Sequence, residues 1–363
     1  MLKYRILLNL AAFLGSLVVS PLLLGDESQR LNDFFEQAFD DELSRSPVMQ
    51  SYLGIKTNYG EWDDRSEGAI RREYMIDSQL LSTLRSEFDF HRLSEKDQLS
   101  FRLFEYRCEQ ALADYAWRFH TYPVNQMRGA QSMVPAFLIN IHRITSVKDA
   151  EAYISRLKRV RALMSQVIAD IDRRRELGIV VPAFVIPYVL QDCENLLQGR
   201  PFTKSEQDST FLADFRKKVA ALELDETIEQ RLLEEATAAL QDEVQPAYRQ
   251  LIEYVQSLLD VATSDDGAWK FPNGDAFYRH ALRKMTTTNL SPEEIHELGL
   301  AEVTRIHGEM RGIMTKVKFQ GGLQDFFEFT RTDPQFYYPN DDAGREKYLT
   351  QATKMIDAKG SIG

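Results

Sequence analysis

Apolar residues recur at helical spacing along most of this 363-residue chain, and little interrupts them. Within residues 27–42 they fall at Leu31, Phe34, Phe35, Ala38 and Phe39, a single stripe on one face of a helix. Residues 66–88 and 94–119 repeat the pattern. Ser94 caps the second of these, with Asp97 in its first turn. A long helix is expected over 146–177, with Gly178 in the place where helices turn left-handed and stop. Another is expected over about 184–197. Residues 225–262 are helical in period but contain Pro246, which removes a backbone bond and predicts a kink or two abutting helices. A short helix follows over 275–285. Ser291-Pro292-Glu293-Glu294 sets serine at the N-cap, proline at N1 and glutamate at N3, a capping box for a helix running to about Lys318. Patterns near 323–330 and 345–357 complete the set. Ser46-Pro47 and Asp333-Pro334 read as stops.

Two stretches break the rule. Residues 122–140 have no clear period and carry Pro123, Gly129 and Pro135, so they read as an ordered connection with room for a short strand. Residues 202–222 are polar and mixed. There is no internal repeat and no sustained heptad. Glycine (18) and proline (12) are too scarce for a collagen-like or low-complexity chain, and argue against a turn-rich sandwich. The expectation is a mainly α fold, a multi-helix array with few or no strands. Gly199-Arg200-Pro201 is the best candidate boundary, dividing a helical subdomain at 26–199 from a second at 200–363.

Lys3 and Arg5 precede residues 6–25, which carry no charge. A basic start followed by an apolar stretch reads as a secretory leader. The stretch is also just long enough to span a bilayer, so an uncleaved anchor and a buried helix stay open. Asn9, Gly15, Ser16 and Pro21 weaken it as a permanent anchor, and no cysteine near residue 20 supports a lipid anchor. Residues 1–25 are therefore expected to be a signal peptide or N-terminal anchor. The chain is expected to be exported, and membrane contact is expected only through residues 6–25 if they are retained. Lys and Arg number 44 against 55 Asp and Glu, a net charge of −11. That balance excludes a general nucleic-acid surface, which needs clustered cations. Two cysteines, Cys108 and Cys193, cannot build a disulfide framework or a cysteine-based zinc cluster. An exported setting would permit a Cys108–Cys193 bond, although nothing in the sequence brings the two together.

No complete catalytic set emerges. A zincin helix needs H-E-x-x-H, and the nearest match, His296-Glu297-Leu298-Gly299-Leu300, has leucine in place of the second histidine. His307 shares the face of His296 but lies roughly 16 Å along the helix, too far to share an ion. His91, His120, His142 and His280 are scattered and read as structural. Cys108 and Cys193 sit in apolar helical patterns and read as core. Asp40-Asp41, Asp63-Asp64 and Asp341-Asp342 read as solvated loop or cap groups, and Arg173-Arg174-Arg175 as a helix end. Nucleophile-elbow, P-loop, dinucleotide-binding and EF-hand motifs are missing. No catalytic, cofactor-binding or metal-ligating residue is assigned.

Several blocks in order resemble one bacterial family. They are Tyr122-Pro123-Val124-Asn125-Gln126-Met127 with Gly129, residues 150–157 (AEAYISRL), Gly178-Ile179-Val180-Val181-Pro182, residues 274–288 (GDAFYRHALRKMTTT), residues 290–310 (LSPEEIHELGLAEVTRIHGEM), and residues 331–337 (RTDPQFY). Together they resemble domain-of-unknown-function family 885, exported or lipid-anchored bacterial proteins regarded as zinc metallopeptidases. The resemblance implies a two-lobed helical, zincin-like architecture in a periplasmic or cell-envelope setting. The family's H-E-x-x-x-G-H-H metal motif and its E-G-W-A segment lie beyond the aromatic Pro334–Tyr338 region. The last residues here, 358–363, depart from the family pattern, so no ligand or base is carried over. On this resemblance the chain is expected to be the N-terminal, non-catalytic half of a metallopeptidase. It would supply a cleft wall and contacts to a peptide-like substrate, with zinc only in the other half. The alternative is a complete non-catalytic helical binding module of the cell envelope.

Overall fold

The computed structural model describes residues 21–360; the expected leader lies outside them except for residues 21–25, which open the first helix. Fifteen α-helices follow one another: α1 (Pro21–Ser44), α2 (Pro47–Tyr52), α3 (Glu67–Glu87), α4 (Glu95–Tyr115), α5 (Ala130–Asn140), α6 (Val147–Lys158), α7 (Val160–Glu176), α8 (Ile186–Leu196), α9 (Thr210–Ala220), α10 (Glu226–Ala239), α11 (Gln245–Ser257), α12 (Gly274–Thr286), α13 (Pro292–Lys316), α14 (Leu323–Thr332) and α15 (Asp342–Gly360). Among the described residues there is no strand, only one isolated bridge between Arg200 and Asp208. The fold is mainly α.

Serine caps set the starts. The hydroxyls of Ser66, Ser94, Ser146 and Ser209 accept from the amides of Ala69, Asp97, Asp149 and Leu212. At Ser291 the box closes both ways: Glu294 N donates to Ser291 Oγ at 3.1 Å, and Ser291 N to Glu294 Oε2 at 2.7 Å. Gly178 takes φ +75° after α7, as its C′ position requires.

Three expectations need correction. The stretch 122–140 is half helix. α5 has apolar residues almost all round and is buried on most sides, so it shows no stripe. The expected single helix over 146–177 is two, α6 and α7, separated at Arg159, where φ is −98° and ψ −1°. The polar stretch 202–222 contains α9, whose buried Phe211, Leu212, Phe215 and Val219 are spaced for one face.

Pro135, inside α5, leaves a carbonyl without its helical donor, and a side chain supplies one. Pro135 cannot donate to Gln131 O, which accepts from Tyr248 Oη at 2.8 Å in a fully buried position. Pro246 follows a π-turn at Leu240–Val244 that joins α10 to α11. There the guanidinium of Arg161 donates to Asp242 O.

The largest core joins α5 to α11, with Val124 and Val181 from the connections. It includes Leu157 and Val160 before the Gly199 turn and Phe211, Phe215 and Leu251 after it, so the boundary expected at 199/200 falls inside one core. Gly199, at φ +82°, has no room for a Cβ: the Ser209 amide would lie 2.7 Å from it. A smaller cluster of Leu31, Leu84, Leu93 and Phe101 joins α1, α3 and α4, with Phe35 stacked on Phe104 at 4.6 Å.

The compact units divide between Tyr278 and Arg279. The second unit carries α13 to α15. Among its described hydrophobic side chains only Met314 is buried, while Leu298, Val303, Ile313, Val317, Tyr348, Leu349 and Ile356 are exposed.

Tyr248→Phe leaves Gln131 O buried without a donor and is expected to cost about 1–3 kcal/mol in urea unfolding. Pro135→Ala restores the backbone donor, so the same change made in that background is expected to cost much less. Equal costs in both backgrounds would show that the hydroxyl does not serve Gln131 O.

Candidate functional site

The densest polar centre is built on α6. Its buried face carries Tyr153, Ile154 and Leu157, and also Arg156, which is fully buried. The guanidinium donates from Nε to Glu61 O at 3.0 Å, from Nη1 to His142 Nδ1 at 3.1 Å, and from Nη2 to Ser51 Oγ at 2.8 Å and Pro47 O at 3.3 Å. The rings of Phe137, Trp62 and Tyr59 lie 4.4, 5.3 and 5.4 Å from its carbon. Trp62 Nε1 in turn donates to Arg156 O at 3.0 Å. Among the described residues no carboxylate lies within ion-pair distance of this cation, and burial pulls it down to about 10, so it stays charged at neutral pH.

His142 is held between two partners. Its Nδ1 accepts from Arg156, which leaves Nε2–H to donate to Asp149 O at 3.0 Å. The ring stacks on Tyr59 at 4.1 Å, and burial pulls the imidazole down to about 3. Neither nitrogen is free to move a proton. Burial alone would raise the Asp149 carboxyl. Lys56 Nζ (2.9 Å), Thr145 Oγ1 (2.8 Å) and Thr145 N (2.9 Å) hold it instead at about 2. Lys218 Nζ closes the end of α5, donating to the carbonyls of Leu138, Ile139 and His142 and pairing with Asp214 at 2.9 Å. The arrangement ties α2, the 54–64 loop, α5 and α6 together; chemically it is a lock.

At the opposite end of α5 lies the 122–129 turn. Asn125 Oδ1 accepts from the amides of Met127 and Arg128 at 2.9 and 2.8 Å. A Cβ at Gly129 would fall 2.0 Å from Gln131 Oε1 and 2.5 Å from Asn125 N, so the turn closes only with glycine. Tyr122 and Val124 meet Ile179 and Val181 round an enclosed gap of about 10 Å³, no larger than a water. Two of the sequence blocks singled out above thus pack on each other, and a third carries Tyr153 and Arg156.

The other sequence candidates stay apart. His120 Nε2 is 3.0 Å from Pro272 O, with its ring against Trp117 and Phe277. His91, His296 and Glu297 are exposed, and the His307 ring is 6.2 Å from Phe327. Cys108 and Cys193 are buried and free, so the bond that an exported setting would permit is not formed. Burial raises both thiols, Cys193 to about 12. Asp64 accepts from Ser66 N, and Asp341 from Gly344 N. Arg174 is buried and pairs with Asp170 at 3.1 Å, while Arg173 and Arg175 pair with Glu176 and Asp172. Among the described residues no group of three or more His, Cys, Asp or Glu is placed to hold a metal ion, and no helix is long and apolar enough to cross a membrane.

Sequence reasoning missed Arg156, Lys218, Lys56 and Tyr59. The one available signal was an arginine three residues after Tyr153 on the apolar face of α6.

Arg156→Met is expected to cost about 3 kcal/mol or more, because several buried acceptors lose their donor together. Arg156→Lys is not expected to rescue it, since an ammonium lacks the planar fork. Denaturant unfolding of both variants checks this, and a lysine variant of wild-type stability would overturn it.

His142 also predicts a pH dependence. Its folded value of about 3 lies below its ordinary 6.5, so in that window the unfolded chain binds more protons. Its contribution to stability is complete above about 6.5 and is lost as pH falls towards 3, with a slope approaching about 1.4 kcal/mol per pH unit. Asp149, lowered from 3.8 to about 2, adds a loss in the same direction at more acid pH. His142→Gln is expected to flatten the curve between pH 6 and 4, measured by unfolding across roughly that range; an unchanged slope would assign it to other groups.

The family profile described as "Bacterial protein of unknown function (DUF885)" matches residues 47–361. A crystal structure described as the "putative lipoprotein" from Colwellia psychrerythraea is similar in fold, with a TM-score of 0.77 at 20% identity over 92% of this chain. This chain spans 59% of that protein's length. No curated protein matches the sequence. With its profile match covering nearly the whole chain, the protein belongs to the bacterial family DUF885.

Proposed function

We propose that this chain is the non-catalytic helical part of a larger exported zinc peptidase of the cell envelope. In this reading it supplies one wall of a two-lobed, zincin-like cleft and contacts to a peptide-like substrate, and zinc and its base lie in the other part. The observation that carries the reading is the second unit, whose apolar side chains on α13 and α15 stand exposed with only Met314 buried. A unit of this kind wants a covering surface. The coverage of 59% of the Colwellia protein supports a source for that surface in further chain. The charge-free stretch at 6–25 and the lipoprotein description of the Colwellia protein support the envelope setting. The tight His142–Arg156 lock supports a scaffold role, since neither imidazole nitrogen is available for proton transfer.

Intact mass in the native source tests the reading, together with zinc content and peptidase assays of this chain. The expected outcome is a native mass well above 41.9 kDa, no stoichiometric zinc in this chain and no chelator-sensitive hydrolysis. Stoichiometric zinc with peptidase activity lost on chelation would overturn it. A native mass at or just below 41.9 kDa would also overturn it, in favour of a complete helical binding module.

A further inference from the structure

His142 and Arg156 admit only one arrangement of protons. A guanidinium has donors and no acceptor, so the ring nitrogen that faces Arg156 Nη1 at 3.1 Å, Nδ1, must present its lone pair. The other nitrogen, Nε2, faces the Asp149 carbonyl at 3.0 Å and must carry the hydrogen. A second proton therefore has one place to go, Nδ1. There it sets donor against donor and imidazolium against guanidinium. Both side chains are buried, His142 at 1% exposure and Arg156 at 0%, so water cannot relieve the clash. The charged groups round the ring offer no relief either. Asp149 on α6 is already paired with Lys56 from the 54–64 loop. Lys218 on α9 donates to His142 O, which adds a second cation, and its own partner is Asp214. Tyr59 and Tyr153 present ring faces to the imidazole.

Beyond the ring, Arg156 holds α2 and the 54–64 loop. Its other donors reach Pro47 O, Ser51 Oγ and Glu61 O. The remaining ties of this segment to α6 and the turn before it are polar as well. Lys56 binds Asp149 and Thr145, Tyr59 Oη donates to Arg143 O at 2.9 Å, and Trp62 Nε1 donates to Arg156 O. The largest core has no buried member between residues 45 and 64; Val48 and Trp62 rest on it half-buried. A segment held by polar bonds opens at lower cost than helices whose apolar faces are shared in a core.

We propose that α2 and the 54–64 loop form an acid-released latch: protonation of His142 Nδ1 breaks the Arg156 fork, and the segment lifts off α6 while the core from α5 to α11 stays folded. Lifting it bares the Arg156 fork and the Phe137 ring, which Tyr52 and Trp62 cover at 5.9 and 5.1 Å. The inference goes beyond the reading above and does not depend on it. The closed form holds the neutral imidazole and the open form takes the proton, so acid favours opening. The imidazole is held at about 3 when closed and returns towards its ordinary 6.5 when solvated. Each pH unit lost below about 6 then multiplies the opening constant by up to about ten. Asp149, held at about 2, stays ionised through that window, and Arg156 stays charged.

Native-state hydrogen exchange across about pH 6 to 4 tests this on the unmodified chain. The reporters are the amides of Leu53 and Ile55, bonded to Met49 O and Gln50 O, set against those of Leu251 and Val255 in α11. With intrinsic chemical exchange divided out, the opening constant at Leu53 and Ile55 is expected to rise about fiftyfold over that range. It is also expected to exceed that of the α11 amides about tenfold or more throughout. His142→Gln, whose amide can accept from Arg156 and donate to Asp149 O without titrating, is expected to remove the rise. Exchange at Leu53 and Ile55 no faster than in α11 would mean that the segment opens only with the whole unit, and would overturn the proposal. An opening constant indifferent to pH would overturn it as well. Both readings come from the wild-type chain and stand whether or not the variant folds. A rise that survives in folded His142→Gln would assign the proton to another group and also sink the latch.

Discussion

A single cation with no carboxylate at ion-pair distance among the described residues ties α2 and the 54–64 loop to α6. Taking a guanidinium out of water is costly, and Arg156 meets that cost without a salt bridge. It meets it with carbonyls from Pro47 and Glu61, the Ser51 hydroxyl, the His142 imidazole and three aromatic faces. These partners lie up to 109 residues away in sequence. Three of them mark helix ends: Pro47 begins α2, Ser51 lies near its end, and His142 follows α5. The cation therefore fixes where α2 and the 54–64 loop can lie against α6. Ion pairing would have asked for one acid; carbonyl pairing asks for several backbone segments at once and is correspondingly more specific.

The same logic governs the helices through the core. Proline inside a helix orphans a carbonyl, and a buried orphan is expensive. α5 passes through the core with Pro135 in it, and the donor for Gln131 O comes from Tyr248 on α11. At the π-turn before Pro246, out at the exposed surface, Arg161 on α7 donates to Asp242 O. Each bond also cross-links two helices, so the irregular turns add to the tertiary structure. Lys218 does the same for the end of α5, where three carbonyls converge on one ammonium.

Much of this architecture was legible in advance, for a physical reason. Caps and amphipathic stripes are local: Ser94, Ser291 and the stripe from Leu31 to Phe39 declare themselves within one or two turns. α5 did not declare itself because burial on most sides removes the contrast that periodicity needs. α9 was hidden by its polar surroundings, and the break at Arg159 by residues that suit a continuing helix. The polar centre could not be read at all from motifs. Most of the acceptors of Arg156 are backbone oxygens or small side chains, which carry no signature, and they converge only through the fold. The sequence reads His142 as a structural histidine, but its partner was not foreseeable from spacing. The family blocks gained a plain explanation: Gly129 closes a turn that admits no Cβ, and Tyr153 and Arg156 are interior groups.

The two units use the same material to different ends. In the first, stripes from α5 to α11 meet one another and disappear into a shared core. In the second, α13 turns Met314 inward, yet Val303 and Ile313 remain half-exposed on a helix that already has good capping at Ser291. Capping and local pairing explain why α13 is a helix; they do not explain why Val303 and Ile313 stay in water. Isolated exposed hydrophobics need no explanation, but a unit in which only one hydrophobic side chain among the described residues is buried stands apart from the first. The first unit is closed on itself around Arg156, while the second keeps much of its apolar surface in water.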